Sequence, residues 1–171
     1  MRLSGPSAIS IGRQVFLSHP PLGERVRRVE FGKVIIEGRA MDTGLGWVLK
    51  GPRSYTGEDT VEISCHGSIV VLESLVQAAI SRGATLAAPG EFTRRAFLHG
   101  RLDLLQAEAV IDLIQAGSQT SLESAYGHVD GRLSQLVREL KDLVVKALSL
   151  VEIGLDFSEE DIDAKIGRAH V

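Results

Sequence analysis

Glu62, Ser64 and His66 alternate with Val61, Ile63 and Cys65 along one short segment of this chain. In an extended strand successive side chains point to opposite faces, so a carboxylate, a hydroxyl and an imidazole line one side and core material the other. An ordinary half-buried strand has no use for such a row, which suits binding better than bond breaking. The same alternation separates Cys65 from His66. That argues against a thiol–imidazole nucleophile and makes Cys65 a small apolar core residue. Glu58 and Asp59, just upstream, could join Glu62 as metal ligands, but an acidic corner in a tight turn is expected to be solvated instead. Arg25, Arg27 and Arg28 form a short basic run, expected on a solvated strand face rather than on RNA. The sequence contains no Gly-x-x-x-x-Gly-Lys-Ser/Thr phosphate loop, so the chain by itself is not expected to bind or hydrolyse GTP or ATP at one.

These residues must be positioned by a mixed set of elements. Pro6 to Phe16 has Ala8, Ile11 and Val15 at helical spacing, with Pro6 tolerable in the first turn. Val26–Phe31 and Met41–Leu49 read as strands bounded by glycine or proline. Ser68 to Arg82 returns to helical spacing and stops at Gly83. Ala84–Ala87 reads as a short apolar strand, and Pro89-Gly90 turns into a helix near Glu91, whose charge suits the helix dipole. After Gly100 the pattern is nearly all helical. Leu102, Leu105, Ala109 and Leu113 make one stripe, and Leu133, Leu136, Leu140, Leu143, Ala147 and Leu150 a longer one, of the kind that seeks a bundle partner. Gly154 is expected to interrupt it, and Ser158 to Asp161 to cap a further helix. The last six residues, Ile166 to Val171, translate one frame of a widely used sequencing adapter and are expected to be assembly read-through.

Bulk properties fit a soluble globular protein. The 171 residues are 44% hydrophobic and 24% charged, enough for one full domain plus part of another. The net charge of −3 shows no domain-wide basic surface. A single cysteine excludes an internal disulfide and suits a reducing, cytoplasmic compartment. The longest greasy run, Leu143 to Val151, is broken by Lys146 and falls far short of the roughly 20 residues of a membrane span, and no signal peptide is visible.

Six motifs occur in one order: Arg2-Leu-Ser-Gly5, Pro52 to Asp59, Glu62 to Gly67, Ala88 to Leu98, Leu102 to Val110 and Leu155 to Asp161. Each is weak alone; the ordered set over residues 2 to 165 resembles the N-terminal part of the bacterial tRNA modification GTPases of the MnmE (TrmE) family. The resemblance implies an α+β domain over residues 1–100, a small mixed sheet with helices like the folate-binding domain of aminomethyltransferases, which also dimerises. It implies that residues 101–165 are the first helices of an all-α helical domain into which a GTPase domain is inserted. It further implies a homodimer working with the flavoprotein MnmG to place carboxymethylaminomethyl on the wobble uridine of tRNA. The one-carbon unit would come from a tetrahydrofolate derivative, 5-formyl or 5,10-methylene, while GTP, Mg and K would belong to the GTPase domain.

Family folate contacts carry over to Arg2, Glu62 and Arg101. Glu62 has a reason of its own, because a carboxylate can accept the paired ring and amino N–H groups of a pterin as a charge-assisted fork. Several positions depart from the family pattern. Only Met1 precedes Arg2 where a glycine-rich strand is usual, and Arg101 stands where lysine is common. His99 and Ser68 replace asparagine and glycine. The GTPase domain and the reactive-cysteine motif are absent, and Cys65 is not that cysteine. Alone, the chain is expected to be a binding module without GTPase activity. Two other readings stay open: a free-standing folate-dependent aminomethyltransferase using His66 or Asp59, and a structural dimerisation module.

Overall fold

The computed structural model describes residues 1–156, so the expected cap at Ser158 and the last six residues lie outside the described part. The chain divides into two compact units, Met1–Ala107 and a second beginning at Glu108.

The first unit is built on five strands: β1 (Arg2–Ser4), β2 (Phe16–Ser18), β3 (Val29–Ile36), β4 (Arg39–Leu49) and β5 (Thr60–Cys65). They lie in the order β1-β5-β4-β3-β2. Every pairing is antiparallel, so the α+β class holds but the sheet is not mixed as expected. One face is covered by α1 (Ala8–Val15) and α2 (Ile69–Ile80). Between them Val15, Phe16, Leu22, Val34, Val48, Val61, Ile63 and Leu75 form a core from which water is nearly excluded. The Phe16 ring lies flat over two glycines, since a Cβ on Gly32 or Gly46 would sit 2.6 or 2.8 Å from its Cε1. α2 starts at Ser68, whose hydroxyl accepts the Val71 amide, giving the residue that departs from the family glycine an N-cap role. α3 (Glu91–Leu98) starts from Gly90 at φ 76°, a left-handed conformation glycine adopts without cost.

Paired residues share a face, so Arg2, Glu62, Trp47 and Val29 form one row on the opposite side of the sheet, and Ser64, Leu45 and Phe31 a second. Much of that side is open: Phe31 is 69% and Leu17 60% exposed. At the β1 end, residues 51–59 fold over it and bury Ser54, Thr56 and Thr60, with α3 docked against that loop.

Local expectations failed where tertiary pairing decides. Val26 to Arg28 is a turn, not strand, and β3 begins at Val29, with Arg27 at φ 62°. Ala84–Ala87 is apolar but pairs with no strand. β2 is only three residues long, too short for periodicity to reveal.

α4 (Leu104–Gln115) crosses the boundary between the units. The second unit continues with α5 (Gln119–Val129) and α6 (Arg132–Asp156). α5 was not anticipated; it is a polar helix held at its start by a reciprocal Ser118–Ser121 capping box. α6 runs through Gly154 without a break. A helix-interior glycine costs only about 1 kcal/mol, which the rest of a long helix absorbs. The α6 stripe is largely exposed, with Leu136, Leu140 and Leu143 each more than 60% accessible.

Candidate functional site

β1 and β5 bring the first two sequence-selected residues together. Arg2 Nε donates to Glu62 Oε1 at 2.7 Å, and the guanidinium lies 5.7 Å from the Tyr55 ring and 5.4 Å from the Phe92 ring. Both aromatic contacts are of cation–π type. Glu62 Oε2 accepts no hydrogen bond among the described residues. Glu62 therefore faces the expected side of the strand, already clasped through one oxygen by an arginine.

Arg101 follows α3 and donates its amide to the Ala96 carbonyl at 2.8 Å. Its aliphatic stem runs beside Gly57, where a Cβ would stand 3.4 Å from Arg101 Cγ, and its charged end is exposed. Arg2 touches the same loop at Tyr55, so residues 51–59 are the shared support of both cations.

Next to Arg2 the loop hides a polar network that sequence reading missed. Ser4 Oγ is 2.6 Å from Thr56 Oγ1 and donates to Glu58 Oε2 at 2.9 Å. Arg95 donates to Glu58 at 3.2 Å and to Glu91 at 2.7 Å. Glu58 is thus half-buried and paired rather than solvated, and Asp59 accepts the Gly51 amide at 3.0 Å. The Glu91 carboxyl is held below its usual range first by the Ala88 amide and then by Arg95. Arg95 is raised in turn, by Glu91 before Glu58. A cavity of about 480 Å³ opens beside this network, walled by Ala8, Ile11, Val76 and Leu86 and edged by Arg2, Phe92 and Arg95. Glu62 is not among its lining residues.

His66 faces a different partner. Its Nδ1 is 2.7 Å from Asp42 Oδ1 and its amide donates to Oδ2 at 3.0 Å. The Asp42 carboxyl is lowered, first by the His66 side chain and then by the Thr43 amide. Cys65 packs against the core on the other face, where burial, and then the Asp42 charge, push its thiol up. His66 and Asp59 stand at opposite ends of β5, roughly 23 Å apart for seven extended residues. They cannot both serve one reacting atom, so the aminomethyltransferase reading would have to rest on one of them alone. Among the described residues no cluster of histidine, cysteine or acids could hold a metal. No helix there is long and apolar enough to cross a membrane.

The sequence of this antiparallel α+β domain and of the helices that follow matches known families. Residues 1–101 match the family described as GTP-binding protein TrmE N-terminus, and residues 104–169 match the MnmE helical domain. The chain is 46% identical over 163 residues to the tRNA modification GTPase MnmE of Cytophaga hutchinsonii, covering 95% of this chain and 35% of that protein. It is 43% identical over 168 residues to the protein of the same name from Bacillus subtilis, covering 94% and 36%. The Geobacter sulfurreducens relative is 45% identical over 165 residues, covering 95% and 36%. The chain belongs to the MnmE family of tRNA modification GTPases, and spans about a third of the length of these relatives.

Proposed function

We propose that this chain is the folate-binding and dimerising portion of a cytoplasmic tRNA-modifying GTPase. The reading rests on one observation: an Arg2–Glu62 pair whose guanidinium meets the rings of Tyr55 and Phe92, with Arg2 and Phe92, though not Glu62, at the edge of a cavity of about 480 Å³. In this reading Glu62 offers its second oxygen to the N–H edge of a pteridine. The nitrogens of Arg2 beyond Nε, and the exposed head of Arg101, meet the acidic glutamate tail or a carbonyl of a tetrahydrofolate. Both contacts are charge-assisted, about twice the strength of neutral ones. The folate, 5-formyl or 5,10-methylene, would supply the one-carbon unit. GTP, Mg and K would act in a GTPase domain, and MnmG and tRNA would join in the complete complex.

Dimerisation is supported by the open side of the sheet, where Leu17, Phe31, Met41 and Leu45 are exposed on adjacent strands. Large contiguous apolar patches on a monomer mark association surfaces. Titration calorimetry with 5-formyltetrahydrofolate tests the first claim, with a saturable heat at one site per chain expected. Sedimentation tests the second. A dimer with no folate heat would favour the structural-module reading; one-carbon transfer by the purified chain would favour the aminomethyltransferase.

A further inference from the structure

Arg25, Arg27 and Arg28 lie in a turn rather than on a strand face. Arg28 pairs back to Arg25 through an amide–carbonyl bond of 3.4 Å, and the Arg27 amide donates to the Val48 carbonyl at 3.0 Å. That bond sets the turn against the end of β4, where Lys50 follows and the Arg53 amide returns to the Lys50 carbonyl at 3.1 Å. Arg25, Arg27, Arg28, Lys50 and Arg53 are all exposed, and among the described residues none forms an ion pair. Arg13 joins them from α1, its Nε donating to the Leu22 carbonyl at 2.6 Å while the end of its guanidinium lies 3.6 Å from a Cβ built at Gly23. Of the nearby acids, Glu24 is exposed, Glu30 on β3 is half-buried with one carboxylate oxygen buried and without a hydrogen-bond partner, and Asp59 is half-buried and accepts the Gly51 amide. Several exposed cations without ion pairs at one end of a sheet, in a chain whose net charge is −3, make a local positive surface that attracts anions.

We propose that this end of the sheet docks the phosphodiester backbone of RNA. The proposal rests on the tRNA-modifying reading for the identity of the polyanion. The cations are spread over two loops rather than forming one pocket, which suits a line of phosphates better than a single small anion. Most of them are arginines, whose planar fork matches phosphate oxygens. The folate contacts and the open apolar face leave these residues unused, so docking here and folate binding do not compete for a side chain.

The test uses the 171-residue chain and fluorescence anisotropy with an unmodified tRNA transcript, titrated from 50 to 200 mM salt. Engaging four or five phosphates predicts a fall in affinity of about 100- to 500-fold across that range. The Arg25→Ala, Arg28→Ala, Lys50→Ala triple variant should bind at least about tenfold more weakly at 50 mM and show a log–log salt slope shallower by about 2 to 3. A Lys33→Ala, Arg39→Ala, Arg94→Ala variant removes the same charge elsewhere and should stay within about twofold. Equal losses in the two variants, or none in the first, overturn the surface. Stronger capture of the wild type by phosphatidylserine vesicles than by tRNA at equal charge concentration overturns RNA as its partner. If the folate titration succeeds while the triple variant binds tRNA unchanged, the docking surface fails and the folate reading stands; the converse separates them equally well. Circular dichroism melting checks that the variants remain folded.

Discussion

Replacing Glu62 by alanine separates a ligand-binding role from a structural one, because the two predict opposite magnitudes. In the free protein Glu62 makes a single 2.7 Å ion pair with Arg2, and the two side chains are 21% and 39% exposed. A pair that open to solvent contributes about 0.2–1 kcal/mol. Arg2 also keeps its contacts with Tyr55 and Phe92 when the carboxylate is gone. The melting temperature should therefore fall by no more than about 8 °C, since 1 kcal/mol shifts a domain of this size by about 4–8 °C. Folate binding should suffer more. Hydrogen bonds to a charged group contribute about 1.5–3 kcal/mol, so loss of the carboxylate should cost about 2–3 kcal/mol. That corresponds to a Kd raised about 30- to 160-fold. Titration calorimetry with 5-formyltetrahydrofolate, beside scanning calorimetry of the same two proteins, reads both quantities. An unchanged Kd refutes the ligand role. A melting temperature lowered by more than about 10 °C with binding lost in step makes Glu62 a structural tie and refutes the reasoning from exposure.

Three further outcomes are expected. Gly46→Ala places a methyl 2.8 Å from Phe16 Cε1 and 3.1 Å from Leu22 Cδ2, and should destabilise the first unit by about 1–3 kcal/mol in urea melts. In a Phe16→Leu background the added cost should shrink, and additivity of the two changes within about 0.5 kcal/mol would refute the packing account. Asp42 has a depressed folded pKa, so its contribution is present above the ordinary carboxylate range and lost as pH falls through the folded value. Urea midpoints of the wild type should drop more steeply below about pH 4 than those of Asp42→Asn, and parallel curves would contradict the His66 clasp. Finally, the Cys65 thiol is pushed up by burial, so iodoacetamide should modify the folded chain at neutral pH more slowly than a free cysteine, with the rate rising only in more alkaline buffer. Modification as fast as in a denatured control would place Cys65 outside the core.

What could be read from the sequence was whatever repeats over a few residues. The two-residue period of β5 placed Glu62 and Ser64 opposite Val61 and Ile63, helical spacing located α1, α2, α4 and α6 within a few residues, and the Pro89-Gly90 turn located the start of α3. Pairings across the sheet were hidden. Nothing near Asp42 announces His66, 24 positions away, because they meet only through the β4–β5 register. The same holds for Arg2 and Glu62, 60 positions apart, for which the family resemblance supplied both residues but not their bond. Glu58 looked solvated because an acidic turn usually is; Ser4 and Arg95, contributed by two other elements, bury it. Ala84–Ala87 failed for the opposite reason, since apolar character without a neighbouring strand edge makes no ladder. The basic run was correctly read as exposed, yet its position against Val48 depends on a turn at Arg27 that no local pattern encodes.

The three-residue strand β1 is held by its ladder to β5, by the Arg2–Glu62 pair, by the bonds of Ser4 to Thr56 and Glu58, and by the contacts of the Arg2 guanidinium with two rings. A cofactor that drew on Arg2 would rigidify that strand, and by reciprocity whatever pins the strand would tighten the cofactor's hold. The amides of Leu3 and Ser4 should then exchange with deuterium more slowly once the cofactor is bound, making β1 a reporter of occupancy.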